Sequence, residues 1–317
     1  MHKIIFIPLF LRKIVSQFIY MVEHPRKFYR YVLLKKVVFK LSCIFPDKIY
    51  IELMFPLCTG YKLNLENPQT FNEKLQWLKL NYRKPEFSIM VDKIEAKNYV
   101  AGIIGEDHII PTLAIYKNTK EINFDTLPDQ FVLKCTHDSG NIIICKDKSS
   151  TNRSQILRKL EKGLKYNYFN FGREWVYKDV EPRIIAEKYM TDGGEELKDY
   201  KIFCFGGEPK MVEVDYNRFI DHKRQLFTID WEKIDATCMY PSDSTVIEKP
   251  VLLSQMLDYA RKLSKGHPFL RTDFYIINNK IYFGELTFYH QCGFGPIEPV
   301  EFDLEMGSWI QLPQPTI

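Results

Sequence analysis

The chain is poor in the features that most readily assign a function. Its seven cysteines, at 43, 58, 135, 145, 204, 238 and 292, are odd in number and form no Cys-x-x-Cys pair. That pattern fits reduced thiols in the cytoplasm and excludes a disulfide framework or a zinc site read from spacing. No Asp-x-Asp occurs, the nearest approaches being Asp199-Tyr200-Lys201 and Asp273-Phe274-Tyr275, so the metal motif frequent in nucleotide-sugar glycosyltransferases is missing. No uninterrupted apolar run reaches the roughly 20 residues that a membrane span needs. The opening run ends in Leu11-Arg12-Lys13 without a small-residue cleavage site, which argues against a signal peptide. Net charge is only +4 over 317 residues, and no zinc-finger or other nucleic-acid motif accompanies it, so nucleic acid is not an expected partner.

What is present begins with a change of composition. Residues 1–60 interleave apolar and aromatic residues with Lys3, Arg12, Lys13, Arg26, Lys27, Arg30, Lys35, Lys36 and Lys40. Three readings stay open for this basic, amphipathic, helical segment: peripheral contact of residues 1–40 with the inner face of an anionic membrane, packing on the body, or docking of a partner enzyme. A chain of this length is expected to fold as two or three packed units, here an α/β portion over 61–130, a small unit over 131–190 and a third over 191–317.

Thr70 and Glu73 stand at capping-box spacing ahead of a helix with Phe71, Leu75 and Leu78 on one face. A second helix is expected over Asp92–Val100, with Ile109-Ile110-Pro111 entering a strand, a helix–strand order that suggests an α/β layer. In Phe131–Cys145, a strand bearing Lys134 meets the polar turn His137-Asp138-Ser139-Gly140-Asn141. Such a turn can fold its free N–H groups over phosphates, or it can be a plain hairpin turn. A surface helix is expected within 151–180, and Arg183–Met190 reads as an apolar strand ending in Glu187-Lys188-Tyr189. Leu197–Tyr216 reads as two strands about Gly206-Gly207, with Asp199 and Lys201 on one face. Asp221–Tyr240 reads as a connecting segment and Leu252–Gly266 as an amphipathic helix.

The decisive stretch is Phe269–Phe288, FLRTDFYIINNKIYFGELTF, two apolar arms about Asn278-Asn279 that carry Arg271, Asp273 and Glu285. A two-residue turn would place Asp273 and Glu285 on opposite faces, because side chains alternate along a strand. A three-residue loop with an Asn in the left-handed conformation brings Arg271, Asp273, Glu285 and Thr287 to one face, and that register is the expected one. Two carboxylates and a guanidinium on one face suit a magnesium-bound polyphosphate; an edge hairpin with a solvated ion pair is the alternative. His290, in the Tyr289–Gly295 turn beside Glu285, is a candidate base or a capping residue.

The phrases TFNEKLQWLK, FVLKCTHDSG, LKDYKIFCFGGEP, LRTDFY and YFGELTFYHQCGFG resemble those of the TupA-like (teichuronopeptide-biosynthesis) ATP-grasp proteins over about residues 60–313. The resemblance implies an α+β ATP-grasp fold in which two α+β subdomains clasp ATP, residues 131–190 forming the small lid subdomain and 191–317 the subdomain with the metal site. By the same resemblance Lys134 and Lys201 contact phosphates, with Asp199 beside Lys201. Glu187, Lys188 and Tyr189 line the adenine hinge, and His137, Ser139 and Gly140 belong to the lid. Asp273 and Glu285 hold Mg²⁺, and Arg271 stabilises the transferred phosphoryl group. Thr287 departs from the Asn that often follows the last Glu, which leaves one Mg²⁺ or two undecided. The implied activity is an ATP-dependent carboxylate–amine ligase joining an amino acid or amine to a uronic-acid saccharide in cell-surface or capsular polysaccharide biosynthesis. A glycosyltransferase of such a pathway and a non-catalytic scaffold are the alternatives.

Overall fold

The computed structural model describes residues 34–192, 197–218 and 220–316. Residues 1–33, most of the basic segment, lie outside the described residues, as does most of the Gly193-Gly194 loop. No helix among the described residues is long and apolar enough to cross a membrane.

Strand alternation separates two antiparallel sheets. The small sheet holds β1 (Thr112–Tyr116), β2 (Phe131–Cys135), β3 (Ile142–Cys145) and β4 (Ile184–Lys188) in the order β1-β4-β2-β3. Along β2, Phe131, Leu133 and Cys135 point into a core shared with Ile156 and Leu160 of helix Arg153–Leu164, leaving Val132 and Lys134 on the other face. The large sheet holds β5 (Asp199–Phe205), β6 (Glu208–Tyr216), β7 (Lys223–Thr228), β8 (Lys233–Ile234), β10 (Phe269–Ile277) and β11 (Lys280–Thr287), in the order β11-β10-β5-β6-β7-β8. The short strands β9 (Thr237–Cys238) and β12 (Ile297–Glu298) pair with each other beside it.

The large sheet is covered on both faces. Helix Leu253–Ser264, close to its expected span, lies over β5, β6 and β10 on one side. On the other, the expected capping box forms: the Thr70 hydroxyl accepts from Glu73 N at 3.1 Å and the Glu73 carboxylate from Thr70 N at 3.1 Å, starting helix Phe71–Asn81. Phe71 then packs edge-on against Phe269 at 4.9 Å and near Phe203 and Phe205. Truncating such a fully buried ring typically costs about 3–5 kcal/mol. The polar side of the same helix holds the 290–295 loop through Gln76 Nε2 to Gly293 O (2.6 Å), Asn72 Nδ2 to Gly295 O (2.9 Å) and Lys79 Nζ to Cys292 O (2.9 Å). Gly293 has φ +58°, and a Cβ there would meet Gln76 Nε2 at 2.6 Å and Leu75 Cβ at 3.0 Å, so a side chain would strain this approach.

Four expectations change. The second helix is Glu95–Ile104, three to four residues later than expected, because Gly102 stays helical and Gly105 ends it. The 61–130 portion is not a unit: its helices join the large-sheet core, while β1 completes the small sheet through pairing with β4, so the small layer starts before residue 131. The segment Asp221–Tyr240 is no mere connector, since β7 within it is a buried strand paired along β6. The β10–β11 turn has two residues, Asn278 and Asn279, both with positive φ (49° and 55°), and not three. Residues 34–59 pack on the body, where Val38, Tyr50, Ile51, Met54 and Phe55 form a cluster with Cys292 and Phe294. For that part of the N-terminal segment the packing reading holds.

Candidate functional site

With a two-residue turn, Asp273 and Glu285 should face opposite ways. A β-bulge repairs the register: Phe274 pairs with Phe283 but Thr272 with Leu286, so Gly284 and Glu285 together oppose Asp273. The extra residue returns Glu285 to the side of Asp273. Arg271 makes the result visible. Its Nε and Nη2 donate to the two oxygens of Asp273 at 2.7 Å each, Nη2 also donates to Glu285 Oε1 at 2.6 Å, and Thr287 Oγ1 donates to the same oxygen at 3.3 Å.

Cross-strand register extends this cluster over the sheet. Asp273 stands opposite Lys201, Lys201 opposite Glu213, Asp199 opposite Asp215, and Asp215 opposite Arg224. Lys201, only 5% exposed, lies 3.2 Å from Asp199 Oδ2 and 3.3 Å from both Asp215 Oδ2 and Asp273 Oδ2. Burial alone would lower the pKa of its ammonium, but the carboxylates, Asp199 first, outweigh that and hold it charged. Arg224 grips Asp215 through two bonds (2.7 and 2.9 Å), and Arg218 pairs with Asp199. The Glu285 carboxylate, open to the cleft, is pushed up by burial but drawn down further by Arg271 and Lys201, to a pKa of about 2. Asp273 and Glu285 thus aim oxygens at one shared positive atom. Two converging carboxylates are a hard-oxygen donor set suited to Mg²⁺.

Glu213, Cys238 and His290 form a second buried group whose ligand atoms lie within 4.8 Å of one another. His290 Nδ1 faces Arg271 Nη1 at 2.9 Å, and an arginine can only donate, so Nδ1 accepts and the neutral ring carries its proton on Nε2. That proton points toward Glu213 Oε2, 3.6 Å away, where a metal would have to bind. The pKa of His290 lies well below the usual histidine range, through burial and then Arg271. His290 is therefore a positioning acceptor for Arg271 and not an available base.

The small sheet carries a second charge cluster. Glu187, 4% exposed, accepts Lys134 Nζ and Lys97 Nζ at 2.6 Å each. Burial raises its pKa, but Lys134 and then Lys97 outweigh it and bring the carboxyl to about 2. Lys188 is exposed and Tyr189 half-buried, and neither joins this cluster. The 137–140 turn differs from expectation. Ser139 lines the cleft and Gly140 has φ +102°, but the His137 ring is buried, its Nε2 3.1 Å from Tyr166 O, so it anchors the turn and does not reach out as a lid residue. Lys93 ties the same turn down by pairing with Asp138.

Beside the large-sheet cluster lies a cleft of about 310 Å³ whose lining includes Ser139, Glu174, Lys201, Arg218, Arg271 and Glu285; Lys97, Lys134 and Glu187 are not among its lining residues. Sequence reasoning missed Lys97, Glu174, Glu213, Asp215 and Arg224. Glu213 and Asp215 alternate with Val212 and Val214, the same two-residue period that singled out Asp199 and Lys201, so that signal was present.

The model of the TupA-like ATP-grasp family matches residues 73–311. The chain belongs to the TupA-like ATP-grasp family. No curated protein is detectably similar to it in sequence. Among solved structures, D-alanine–D-alanine ligase from Helicobacter pylori is 13% identical over 76% of this chain and 69% of that one, with a TM-score of 0.41. D-alanine–D-alanine ligase from Bacillus anthracis complexed with ATP is 15% identical over 63% of this chain and 53% of that one, at 0.36. A RimK domain ATP-grasp protein from Sphaerobacter thermophilus is 10% identical over 73% and 70%, at 0.39. The chain thus spans between 53% and 70% of the length of these three proteins. The two-sheet α+β layout is that of an ATP-grasp fold.

Proposed function

We propose that this TupA-like ATP-grasp protein is an ATP-dependent carboxylate–amine ligase that acts through an acyl phosphate. The observation that carries the reading is a pair of charge clusters, one on each sheet: Lys97 and Lys134 around Glu187, and Asp273, Glu285, Lys201 and Arg271. Mg-ATP is itself a polyanion bearing a divalent cation, and the two clusters match its two parts.

In this reading the small-sheet lysines hold the nucleotide, with Glu187 fixing them, and Glu187 to Tyr189 border the base. Asp273 and Glu285 hold Mg²⁺, which when bound neutralises charge on the phosphates. Lys201 and Arg271 approach the transferred phosphoryl group. A substrate carboxylate attacks the γ-phosphorus, ADP leaves, and the acyl phosphate is then opened by an amine with loss of phosphate. Phosphoryl transfer of this kind needs mostly position and charge stabilisation, which a preorganised cluster of buried cations supplies. The 137–141 turn over the cleft shields the acyl phosphate from water. The donor of the carboxylate is a uronic-acid saccharide of a cell-surface polysaccharide, and the amine an amino acid. A lipid-linked acceptor would give residues 1–40 their basic character a use at the membrane surface.

Incubating the purified protein with Mg-ATP, uronic-acid saccharides and pooled amino acids, then measuring ADP, phosphate and amide product, tests the reading. ADP and amide formed together are expected. Consumption of a sugar nucleotide without ADP would point instead to glycosyl transfer, and silence in both assays to a scaffold.

A further inference from the structure

We propose that Glu174 is the receiving group for the amine substrate, binding its ammonium and taking one proton from it as the amide forms. This rests on the ligase reading and deepens it by dividing the cleft between the two partners of acyl transfer.

Three acids line the cleft: Glu174, Asp215 and Glu285. Two are already clasped, Asp215 by Arg224 at 2.7 Å and Glu285 by Arg271 at 2.6 Å. Glu174 is 3% exposed, and among the described residues no cation stands within ion-pair distance of it. Its side-chain partner among the described residues is the Cys292 thiol, a weak donor. Lys79 lies beyond, but its ammonium is committed to Gly172 O at 2.6 Å and Cys292 O at 2.9 Å. A buried carboxylate with a weak partner and an open cleft before it is costly unless a cation arrives.

The position is fixed by packing. The helical turn Trp175–Tyr177 follows Glu174 directly, and Trp175 Nε1 donates to Tyr289 OH at 2.7 Å, locking the turn to the loop after β11. Tyr168, Tyr177 and Cys292 complete that end of the cleft. The other end, beyond β6, presents Arg218, Arg224 and His222, which stand against the carboxylates of Asp199, Asp215 and Glu213, with Tyr240 stacked on His222 at 3.8 Å. Arg271, Lys201 and Glu285 lie between, as the order β11-β10-β5-β6-β7 requires. The unclasped acid at one end therefore takes the amine, and the arginine-lined end beyond β6 is left for the carboxylate substrate, with the phosphoryl-transfer groups between them.

The step balances as follows. The ammonium gives one proton to Glu174, and the freed nitrogen pair forms the C–N bond at the acyl carbon. The C–O bond to phosphate then breaks, and the departing phosphate keeps that electron pair and takes the second nitrogen proton. Neither an oxidant nor a further reactant is needed.

The probes are the individual protein amino acids, with binding read by ligand-observed NMR in the presence of Mg-ATP on the wild type, Glu174→Gln and Glu174→Asp. At least one amino acid should bind the wild type, and Glu174→Gln should weaken it about 10- to 100-fold, the span of a lost charge-assisted hydrogen bond. Mg-ATP binding should not change. Glu174→Asp, which keeps the charge on a shorter arm, should fall between, and it carries the test if Glu174→Gln no longer binds Mg-ATP. In turnover, Glu174→Gln should raise KM for the amine while leaving KM for ATP unchanged, and hydroxylamine, largely unprotonated at neutral pH, should still be acylated. Binding of no amino acid by the wild type, or equal binding by the variants, overturns the proposal. Loss of amino-acid binding in a protein that forms no ADP would leave the amine site standing and remove the ligase reading.

Discussion

The charge clusters of the two sheets are built on opposite centres. On the small sheet one carboxylate, Glu187, collects two lysines; on the large sheet one lysine, Lys201, sits among three aspartates. Both are buried, so neither arrangement is a solvated surface pair of small worth. The first has positive charge in excess and suits phosphate oxygens, while the second is close to balanced, since Asp199, Asp215 and Asp273 also hold Arg218, Arg224 and Arg271, and Glu285 turns its carboxylate to the cleft. Which charges meet in each cluster is set by the strand neighbours that the register brings together.

The largest effect expected from breaking this contrast is on the large-sheet side. Asp273→Asn keeps nearly the same shape but removes a charge shared by Arg271 and Lys201 and, in the ligase reading, by Mg²⁺. ADP formation is expected to fall by about a thousandfold or more, within the range found when a preorganised charge-stabilising group is lost. Near-normal turnover with unchanged circular dichroism would contradict the assignment of Asp273.

Stability against pH compares the two buried glutamates with opposite sign. Glu187 has its pKa depressed to about 2 from an ordinary value near 4.5, so its contribution is present above about pH 4.5 and is lost as pH falls toward 2. By linkage the loss is on the order of 3 kcal/mol. Glu187→Gln should therefore flatten the acid limb of the denaturation curve between those values. Glu174 has its pKa raised by burial to about 7, so the folded state holds its proton more tightly than the unfolded chain does. Stability then falls as pH rises from about 4.5 through 7, and Glu174→Gln should raise Tm at pH 8 more than at pH 5. An equal shift at both pH values would mean that Glu174 is not the titrating group.

Much of this was legible from residues two or three apart. Thr70 with Glu73, Asp199 with Lys201, and Arg271 with Asp273 are local patterns, and local geometry realises each of them. What escaped depends on backbone irregularity or on distance. The Asn278-Asn279 turn alone places Glu285 on the wrong face, and only the bulge at Gly284 restores it, where a Cβ would sit 3.1 Å from Asp273 O. β7 was hidden because Arg224 and Gln225 give it a polar composition. Both are buried, satisfied by Asp215 and by the carbonyls of Asp243 and Thr245. Lys97 and Glu187 lie 90 residues apart, and no spacing rule joins them.

That last pair gives the smallest and most discriminating test. Lys97 sits on helix Glu95–Ile104, which packs with the large-sheet layer, yet its ammonium reaches across to Glu187 (2.6 Å), Ile110 O (2.8 Å) and Thr112 Oγ1 (3.0 Å) of the small layer. It is thus both a strut between the two layers and half of the positive excess that the ligase reading assigns to the nucleotide. Lys97→Met leaves Glu187 to draw on Lys134 alone, so less charge remains for phosphate. KM for ATP should rise about tenfold, or 1.4 kcal/mol, with kcat little changed, because the lost interaction serves ground and transition states alike. A matching fall in kcat would instead place Lys97 at the transferred phosphoryl group, and the division of labour between the two clusters would have to be redrawn.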